Sequence, residues 1–219
     1  MSATKYAQDP EWVALAKLTY GVTPADLSLI KGSGMASWVD SQLGPKLGEG
    51  DECVSKLAGY KSLGLSIDQV SRFAPFVKNN DLAGEELSVT TLIRRLFSNR
   101  QSFEMLVEHF NDYLHIALHS AWQSRMAFDR DVIRSNALGT YPDLLVASSL
   151  HPAMLDYLNG NDNTKEAPNE NYGRELQELH TITWNNPSYQ RSDRTAQANT
   201  SSESGQSNSP GPQEDGAGA

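Results

Sequence analysis

The fold is decided by two stretches near the middle of the chain, GEELSVTTLIRRLFS at residues 84–98 and SFEMLVEHFNDYLHIALHSAWQS at residues 102–124. In both stretches apolar residues recur every three or four positions, which is the period of an amphipathic α-helix. No alternating pattern with hairpin turns occurs in the sequence, and no internal repeat of solenoid length. The pattern predicts an all-α fold, an irregular multi-helix bundle.

Capping signals predict further helices on both sides of this central pair. Asp9-Pro10 and Thr23-Pro24 each place a capping side chain before a proline, a combination typical of a helix start. Gly21 and Gly32 are the predicted ends of these two helices. Other predicted helices cover residues 35–43, 51–60, 67–74 and 170–182. A helix over 130–138 is predicted to begin after Asp129 as its cap. Two further helices are predicted after Thr140, and Pro152 divides them.

The last part of the sequence differs in composition from the rest. None of the 35 residues after Trp184 is Val, Ile, Leu, Met, Phe, Trp or Cys, and 22 of them are Ser, Gly, Pro, Gln or Asn. Such a segment buries too little apolar surface to offset the entropy lost on ordering, roughly 1–2 kcal/mol per residue. The sequence therefore predicts a helical domain over residues 1–184 and a disordered polar tail over 185–219.

Charge and composition exclude several classes of protein. The chain has 219 residues, with 18 Lys and Arg against 27 Asp and Glu, and its formal net charge is −9. Because no cluster of basic residues is present to neutralise phosphates, we expect no nucleic-acid partner. One cysteine, Cys53, cannot form an internal disulfide. No apolar run is long enough for a transmembrane span. The start, MSATKYAQDPEW, has no signal-peptide pattern, which favours a cytoplasmic location unless an export segment was trimmed from the N-terminus.

One candidate site lies on the longest predicted helix. Glu108, Asp112, His115 and His119 are spaced four, three and four residues apart, which places them on one stripe of a continuous helix. Two imidazoles and two carboxylates in this arrangement are able to hold a divalent metal. The competing interpretation is a solvated helix face, because an apolar stripe runs along the opposite side of the helix. We favour the solvated face.

A second candidate site lies on the last predicted helix, in the sequence PNENYGRELQELH at residues 168–180. Glu175 and Glu178 stand about one turn apart beside the apolar face, where burial raises a carboxyl pKa or a metal is shared. A di-iron motif would need Glu three residues before His180, but that residue is Gln177. The competing interpretation is structural, with Arg174 and Glu178 as an i, i+4 ion pair.

The stretch RSNALGTYPDLLVASSLHPAMLDYLNGNDNTKEAPNENYGRELQELHT at residues 134–181 resembles the bacterial domain of unknown function 1800 (DUF1800) family. The front of the chain, LTYGVTPADLSLIKGSGMASWVDSQL, resembles the opening helices of that family, so the similarity spans about residues 11–183. The resemblance implies a large, mainly helical and often exported bacterial protein that continues beyond the Asn-Glu-Asn block. This chain has Asn136 and Tyr113 where the family tends to have histidine.

Three functional hypotheses follow from these patterns and from the resemblance. The leading hypothesis is a truncated, non-catalytic N-terminal part of a DUF1800 protein, because the polar tail replaces the family's continuation. The second is a metal- or carboxylate-dependent hydrolase or oxidoreductase, with Glu175 and Glu178 as catalytic residues. Its predicted binding residues are Asn169, Glu170, Asn171 and Arg174. The third is an interaction module that binds a protein partner, or a second copy, through uncovered apolar surface. The sequence identifies neither a metal nor another cofactor.

Overall fold

A computed structural model describes residues 9–44, 46–73, 82–117 and 122–181. Within these ranges the chain is all-helical and has no β-strand, as the sequence predicts. The α-helices of the described part are α1 (Pro10–Leu18), α2 (Pro24–Ser33), α3 (Met35–Leu43), α4 (Asp51–Leu57), α5 (Ile67–Phe73), α6 (Leu82–Phe97), α7 (Gln101–Tyr113), α8 (Trp122–Ala127), α9 (Tyr141–Leu150), α10 (Pro152–Tyr157) and α11 (Glu170–His180). A π-helical segment, Phe128–Arg134, continues α8.

Most helices begin where their capping residues predict. The Asp9 carboxylate accepts hydrogen bonds from the backbone N–H groups of Glu11 and Trp12 at the start of α1. The hydroxyls of Thr23 and Thr140 cap α2 and α9 in the same way. Because these bonds satisfy donors that have no partner inside the helix, they fix the helix start locally.

The predicted helix over 102–124 is wrong as a single element. Helix α7 ends at Tyr113, and α8 begins at Trp122. Asp129 is also not a helix cap, because it lies inside the π-helical segment with its side chain buried. Residues 114–117, which follow α7, are not helical.

The glycine that ends α2 is Gly34, not Gly32 as the sequence predicted. The helix continues through Gly32 to Ser33 and is followed by Gly34, whose φ is +82°. Glycine adopts this left-handed region without the steric cost that a Cβ brings. Gly34 is therefore the glycine that ends α2, and α3 begins at the next residue.

Two apolar clusters lie among the helices of residues 9–172. One joins α1, α2 and α3 through Leu15, Ile30 and Trp38, all of which are buried. The larger cluster joins α7, the π-helical segment, α9 and α10. Its fully buried members include Leu114, Ile133 and Ala153. Full burial of a leucine or isoleucine side chain contributes about 1.5–3 kcal/mol.

The chain divides into two compact units, Met1–Tyr172 and Gly173–Ala219. The division falls within α11, whereas the predicted domain boundary after residue 184 and the predicted tail lie outside the described residues. Among the described helices none combines the length and the apolar character that a bilayer crossing requires. The predicted cytoplasmic location and the expected lack of a nucleic-acid partner stay predictions.

Candidate functional site

A polar cleft of about 350 Å³ lies in the first unit between α6, α7 and the helix formed by α8 and the π-helical segment. Tyr20, which follows α1, closes one side of it. We call this feature the polar cleft. Its lining residues are Tyr20, Leu87, Ser88, Thr91, Leu92, Arg95, Glu104, Val107, Glu108, Asn111, Asp112, Arg125, Asp129 and Arg134.

A buried network of charged side chains lines the polar cleft. Arg134 donates two hydrogen bonds to the Glu104 carboxylate, at 3.1 Å from Nη1 and 2.8 Å from Nη2. Its Nε donates to Asp129 Oδ2 at 2.8 Å, and Asn111 Nδ2 donates to Asp129 Oδ1 at 2.8 Å. The side chains of Glu104 and Asp129 are only 3% and 6% exposed. We call these four residues the buried network.

The charge of Arg134 is maintained by its two carboxylate partners. Burial of the guanidinium disfavours its charged form, but the negative charges of Asp129 and Glu104 outweigh that effect and raise the pKa of Arg134 above its usual value. The bidentate contact with Glu104 also fixes the orientation of the guanidinium plane. The network is therefore a rigid part of the cleft.

Contact between Asp129 and Arg134 depends on the π-helical segment that carries both. In an α-helix, residues five apart point in directions about 140° apart, because successive residues turn by about 100°. A π-helix closes its hydrogen bonds between residues five apart, which brings such residues to the same side. The local helix geometry therefore places both side chains in the cleft.

A second polar group forms the side of the cleft near Tyr20. The Tyr20 hydroxyl donates a hydrogen bond to the Glu108 carboxylate, and Arg95 Nη2 lies 2.6 Å from the other oxygen of that carboxylate. The Arg95 guanidinium also lies 5.3 Å from the centre of the Tyr20 ring, within cation–π range. Burial, together with the hydrogen bond to Glu108, raises the pKa of Tyr20. This tyrosine therefore stays neutral in the physiological pH range.

The predicted metal-binding stripe is not formed as the sequence indicates. Glu108 and Asp112 both line the polar cleft on α7, but His115 lies beyond the end of that helix. His119 lies outside the described residues. Within the described ranges no group of three or more His, Cys, Asp or Glu side chains is placed to hold a metal ion. Asp112 is exposed as the solvated-face interpretation predicts, whereas Glu108 is half-buried and paired with Arg95.

Sequence reasoning missed all four members of the buried network, Glu104, Asn111, Asp129 and Arg134. One signal was present, since Glu104 lies four residues before Glu108 and extends the same acidic stripe by one turn. A carboxylate among the apolar residues Phe103 and Val107 also indicates a buried ion pair. No signal in the sequence identifies Arg134 as its partner.

The first residue of the predicted Asn-Glu-Asn site caps α11. Asn169 Oδ1 accepts a hydrogen bond from the Tyr172 backbone N–H at 3.0 Å. The Asn169 amide Nδ2 donates to the carbonyl oxygens of Leu158 and Asn159 at 3.0 and 2.9 Å. Glu170 and Asn171, the next two predicted binding residues, are exposed. The Asn169 amide therefore joins the end of α10 to the start of α11.

The predicted catalytic carboxylates lie in the second unit and share one arginine. Arg174 Nη2 lies 3.2 Å from Glu175 Oε1, and Arg174 Nη1 lies 3.3 Å from Glu178 Oε2. The two glutamate side chains are 25% and 18% exposed, so both are partly shielded from solvent. Burial lowers the pKa of His180 on the same helix. The catalytic and binding roles of these residues stay predictions.

Comparison with known proteins identifies the family but not an activity. A family model described as a protein of unknown function, DUF1800, matches residues 13–200, most of the chain. The chain belongs to the DUF1800 family. No curated protein and no solved structure matches this DUF1800 chain. The match includes α1 to α11 almost entirely and continues beyond residue 183, where the resemblance noted from the sequence ends.

The family match covers both candidate sites. The polar cleft is built from residues 20–134, and the carboxylate pair of α11 lies at residues 175–178. Both ranges fall inside residues 13–200. The DUF1800 description assigns neither of them a ligand or a reaction. The function of the chain therefore has to be proposed from the geometry of these sites.

Proposed function

We propose that this DUF1800 chain is a non-catalytic binding domain whose polar cleft takes a small polar molecule. The observation that carries the proposal is the buried network of Glu104, Arg134, Asp129 and Asn111 beside an open cleft. Burying three charged groups costs several kcal/mol of desolvation free energy per ion. Apolar side chains of similar volume at the same positions often make a protein equally stable, so stability alone does not explain the network. A rigid polar surface facing a cleft supports recognition of a ligand.

The size and lining of the cleft support the same proposal. Small-molecule sites usually measure about 300–1,000 Å³ and combine apolar walls with a few fixed polar groups. The polar cleft, at about 350 Å³, lies at the lower end of that range. Leu87 and Val107 supply apolar wall, and the buried network supplies fixed polar groups. We therefore expect a ligand with few heavy atoms.

The pairing of three of the four cleft carboxylates favours binding over catalysis. Glu104 and Asp129 are both held by Arg134, and Glu108 is held by Arg95 and Tyr20. A general acid or base must be able to reach a proton of the substrate. Carboxylates that already bind arginine are poorly placed for this task, but they fix the shape of a binding surface.

A fragment titration followed by NMR tests the proposal. We expect members of a panel of small amines, acids, amides and polyols to shift the amide resonances of residues 104–112. Ser88→Trp, at an exposed position that lines the cleft, should abolish these shifts by filling the site. Val89→Trp is the matched control, since Val89 is exposed on the same helix but is not part of the lining. Fragments that bind wild type and Ser88→Trp equally would contradict the proposal.

A second candidate function is the carboxylate chemistry predicted for α11. It is favoured by the partial shielding of Glu175 and Glu178 and by their shared contact with Arg174. Substitution of each glutamate by glutamine keeps the shape of the side chain and removes its charge. If both variants keep the wild-type melting temperature, metal content and hydrolytic activity in a broad ester and phosphoester screen, this candidate fails.

A third candidate function is self-association through an apolar stripe on α6. Val89, Leu92 and Leu96 lie within about 60° of one another around the helix. Their side chains are 41%, 54% and 70% exposed. An exposed stripe of this kind supports association with a second copy. Sedimentation velocity should show a concentration-dependent dimer that Leu96→Lys abolishes and Leu150→Lys, on α9, leaves intact. A monomer at all concentrations would exclude it.

A further inference from the structure

We infer that the ligand of the polar cleft is a small organic cation, a protonated amine or guanidine on a short apolar body. This inference rests on the proposed binding function and names the class of ligand. Its basis is the arrangement of charges, hydrogen-bond acceptors and apolar side chains around the cleft.

The balance of charge in the cleft is negative. Four carboxylates line it, those of Glu104, Glu108, Asp112 and Asp129, against the guanidinium groups of three arginines. Arg134 neutralises only one of the two carboxylates that it holds. The whole chain carries a formal charge of −9, which adds a long-range attraction for cations. An anionic ligand would be repelled by the net negative charge of the cleft and by that of the whole chain.

The arginines of the buried network and of the Tyr20 side are already engaged. Arg134 uses Nε, Nη1 and Nη2 on Asp129 and Glu104, and Arg95 holds Glu108. A carboxylate or phosphate ligand would have to displace one of these intramolecular carboxylates to reach the guanidinium of Arg134 or Arg95. These two arginines therefore disfavour an anionic ligand.

Acceptors for a cation are available at the outer part of the cleft. Asp112 is exposed on α7, and it forms no ion pair with any residue that the structure describes. Asn111 must direct its amide Nδ2 toward the Asp129 carboxylate, which only accepts hydrogen bonds. The carbonyl oxygen Oδ1 of Asn111 accepts no hydrogen bond within residues 9–44, 46–73, 82–117 and 122–181. An ammonium group has three donors, which suit a carboxylate and an amide oxygen together.

The same cleft has apolar surface for the body of the ligand. Leu87 and Val107 are buried residues on facing helices, and Leu92 is exposed at the rim. A methylene chain that lies on these side chains gains about 0.8 kcal/mol for each buried CH₂. The charged group would then reach Asp112 and Asn111, and the chain would lie against α6. A short alkylamine therefore matches the cleft better than a small inorganic cation.

Three probes with the same butyl group test the inference on the full chain: n-butylammonium, n-pentanoate and n-butanol. They share an apolar body and differ in the charge of the head group. We expect NMR titration to show that n-butylammonium shifts the amides of residues 104–112 at millimolar concentration, with n-pentanoate and n-butanol at least fivefold weaker. Asp112→Asn should weaken n-butylammonium binding about three- to fivefold, the effect of a partly exposed ion pair.

Asp40→Asn is the matched control, because Asp40 is exposed on α3 and does not line the polar cleft. This variant should bind n-butylammonium as wild type does. Preferential binding of n-pentanoate or n-butanol in the cleft would overturn the inference and leave the proposed binding function intact. The inference also fails if n-butylammonium causes no shift in the cleft, or if Asp112→Asn leaves its affinity unchanged. The proposed function fails separately, when no member of the wider fragment panel reaches the cleft.

Discussion

Arg134 and Asp129 stand five residues apart on one π-helical segment and form an ion pair at 2.8 Å. The Arg134 guanidinium also donates two hydrogen bonds to the Glu104 carboxylate of α7. One arginine therefore joins two carboxylates from separate helices. This pairing sets the polar character of the cleft. Substitution of Arg134 therefore tests the buried network directly.

Arg134→Met should be strongly destabilising. The substitution leaves the Glu104 and Asp129 carboxylates buried without their cation, and loss of one partner from a buried pair typically costs about 3–5 kcal/mol. Urea denaturation followed by circular dichroism measures the change in the free energy of unfolding. The triple variant Arg134→Met, Glu104→Met, Asp129→Leu should recover much of the loss, because it removes the unpaired charges too. A loss below about 1 kcal/mol in the single variant would show that the network is exposed to water.

Gly50→Ala should destabilise the chain, because its backbone conformation and its surroundings both require glycine. Gly50 has a φ of +91°, and a Cβ at this residue would lie 2.6 Å from Asn99 Nδ2. Strained backbone of this kind costs about 1–3 kcal/mol. Gly48→Ala is the control, since a Cβ there meets no atom within 4 Å. Thermal unfolding should show a lower melting temperature for Gly50→Ala alone, with partial recovery in the double variant with Asn99→Ala. Equal melting temperatures for both glycine variants would be incompatible with this conformation.

Stability should fall in acid through His151. Its Nδ1 accepts a hydrogen bond from the Ala153 backbone N–H at 3.2 Å and caps α10, a role that requires the neutral ring. Burial lowers the pKa of His151 below 6.5, the negative charge of Asp131 opposes this shift, and the positive charge of Arg130 adds to it. The neutral ring therefore stabilises the fold fully above about pH 6.5, and this contribution is lost as the pH falls through the lowered folded-state pKa.

The non-titrating variant His151→Asn isolates that effect from the other histidines. Asparagine is also a good helix cap, but its side chain carries no proton that titrates in this range. We expect wild type to lose more unfolding free energy than His151→Asn as the pH falls from about 7.5 to about 5. The pH dependence of urea denaturation measures this difference. A difference that is constant across the range would assign the acid sensitivity to other groups, such as His180.

Asn169→Ala should lower stability by about 1–2 kcal/mol, because it removes the cap of α11 and two hydrogen bonds to the end of α10. Asn169→Ser separates the two contributions. Serine is also a good helix cap, but it lacks the amide donor to Leu158 and Asn159, so its stability should be intermediate. Differential scanning calorimetry measures both variants. If Asn169→Ala melts like wild type, the residue is free for the binding role predicted from the sequence.

The helix starts were predicted well because their causes are local. Asp9, Thr23 and Thr140 bond to backbone groups two or three residues away, so the sequence around each of them contains the whole interaction. At the start of α5, the side chains of Ser66 and Gln69 each accept a hydrogen bond from the other residue's backbone N–H, which is again a local interaction. The single helix over residues 102–124 failed for the opposite reason. Apolar periodicity continues past Tyr113, but α7 ends there, and Leu114 and Ile116 join the larger apolar cluster from a non-helical segment.

The candidate site was only partly predictable. Glu108 and Asp112 were singled out by their spacing, and both line the polar cleft. Glu104 and Arg134 were missed, because their contact joins residues 30 positions apart in the chain. The spacing of Asp129 and Arg134 gives no reason to pair them in an α-helix, and the π-helical geometry that unites them is not encoded by a local motif.

By itself the sequence determined the all-α class and most helix starts, because caps, prolines and apolar periodicity act over a few residues. It also determined the membership in the DUF1800 family. Only the tertiary structure decided which charges meet. Arg134 finds Glu104 and Asp129 because packed helices hold them in one buried place, where an unpaired charge would be too costly to keep. Pairing across such distances is a property of the assembled core.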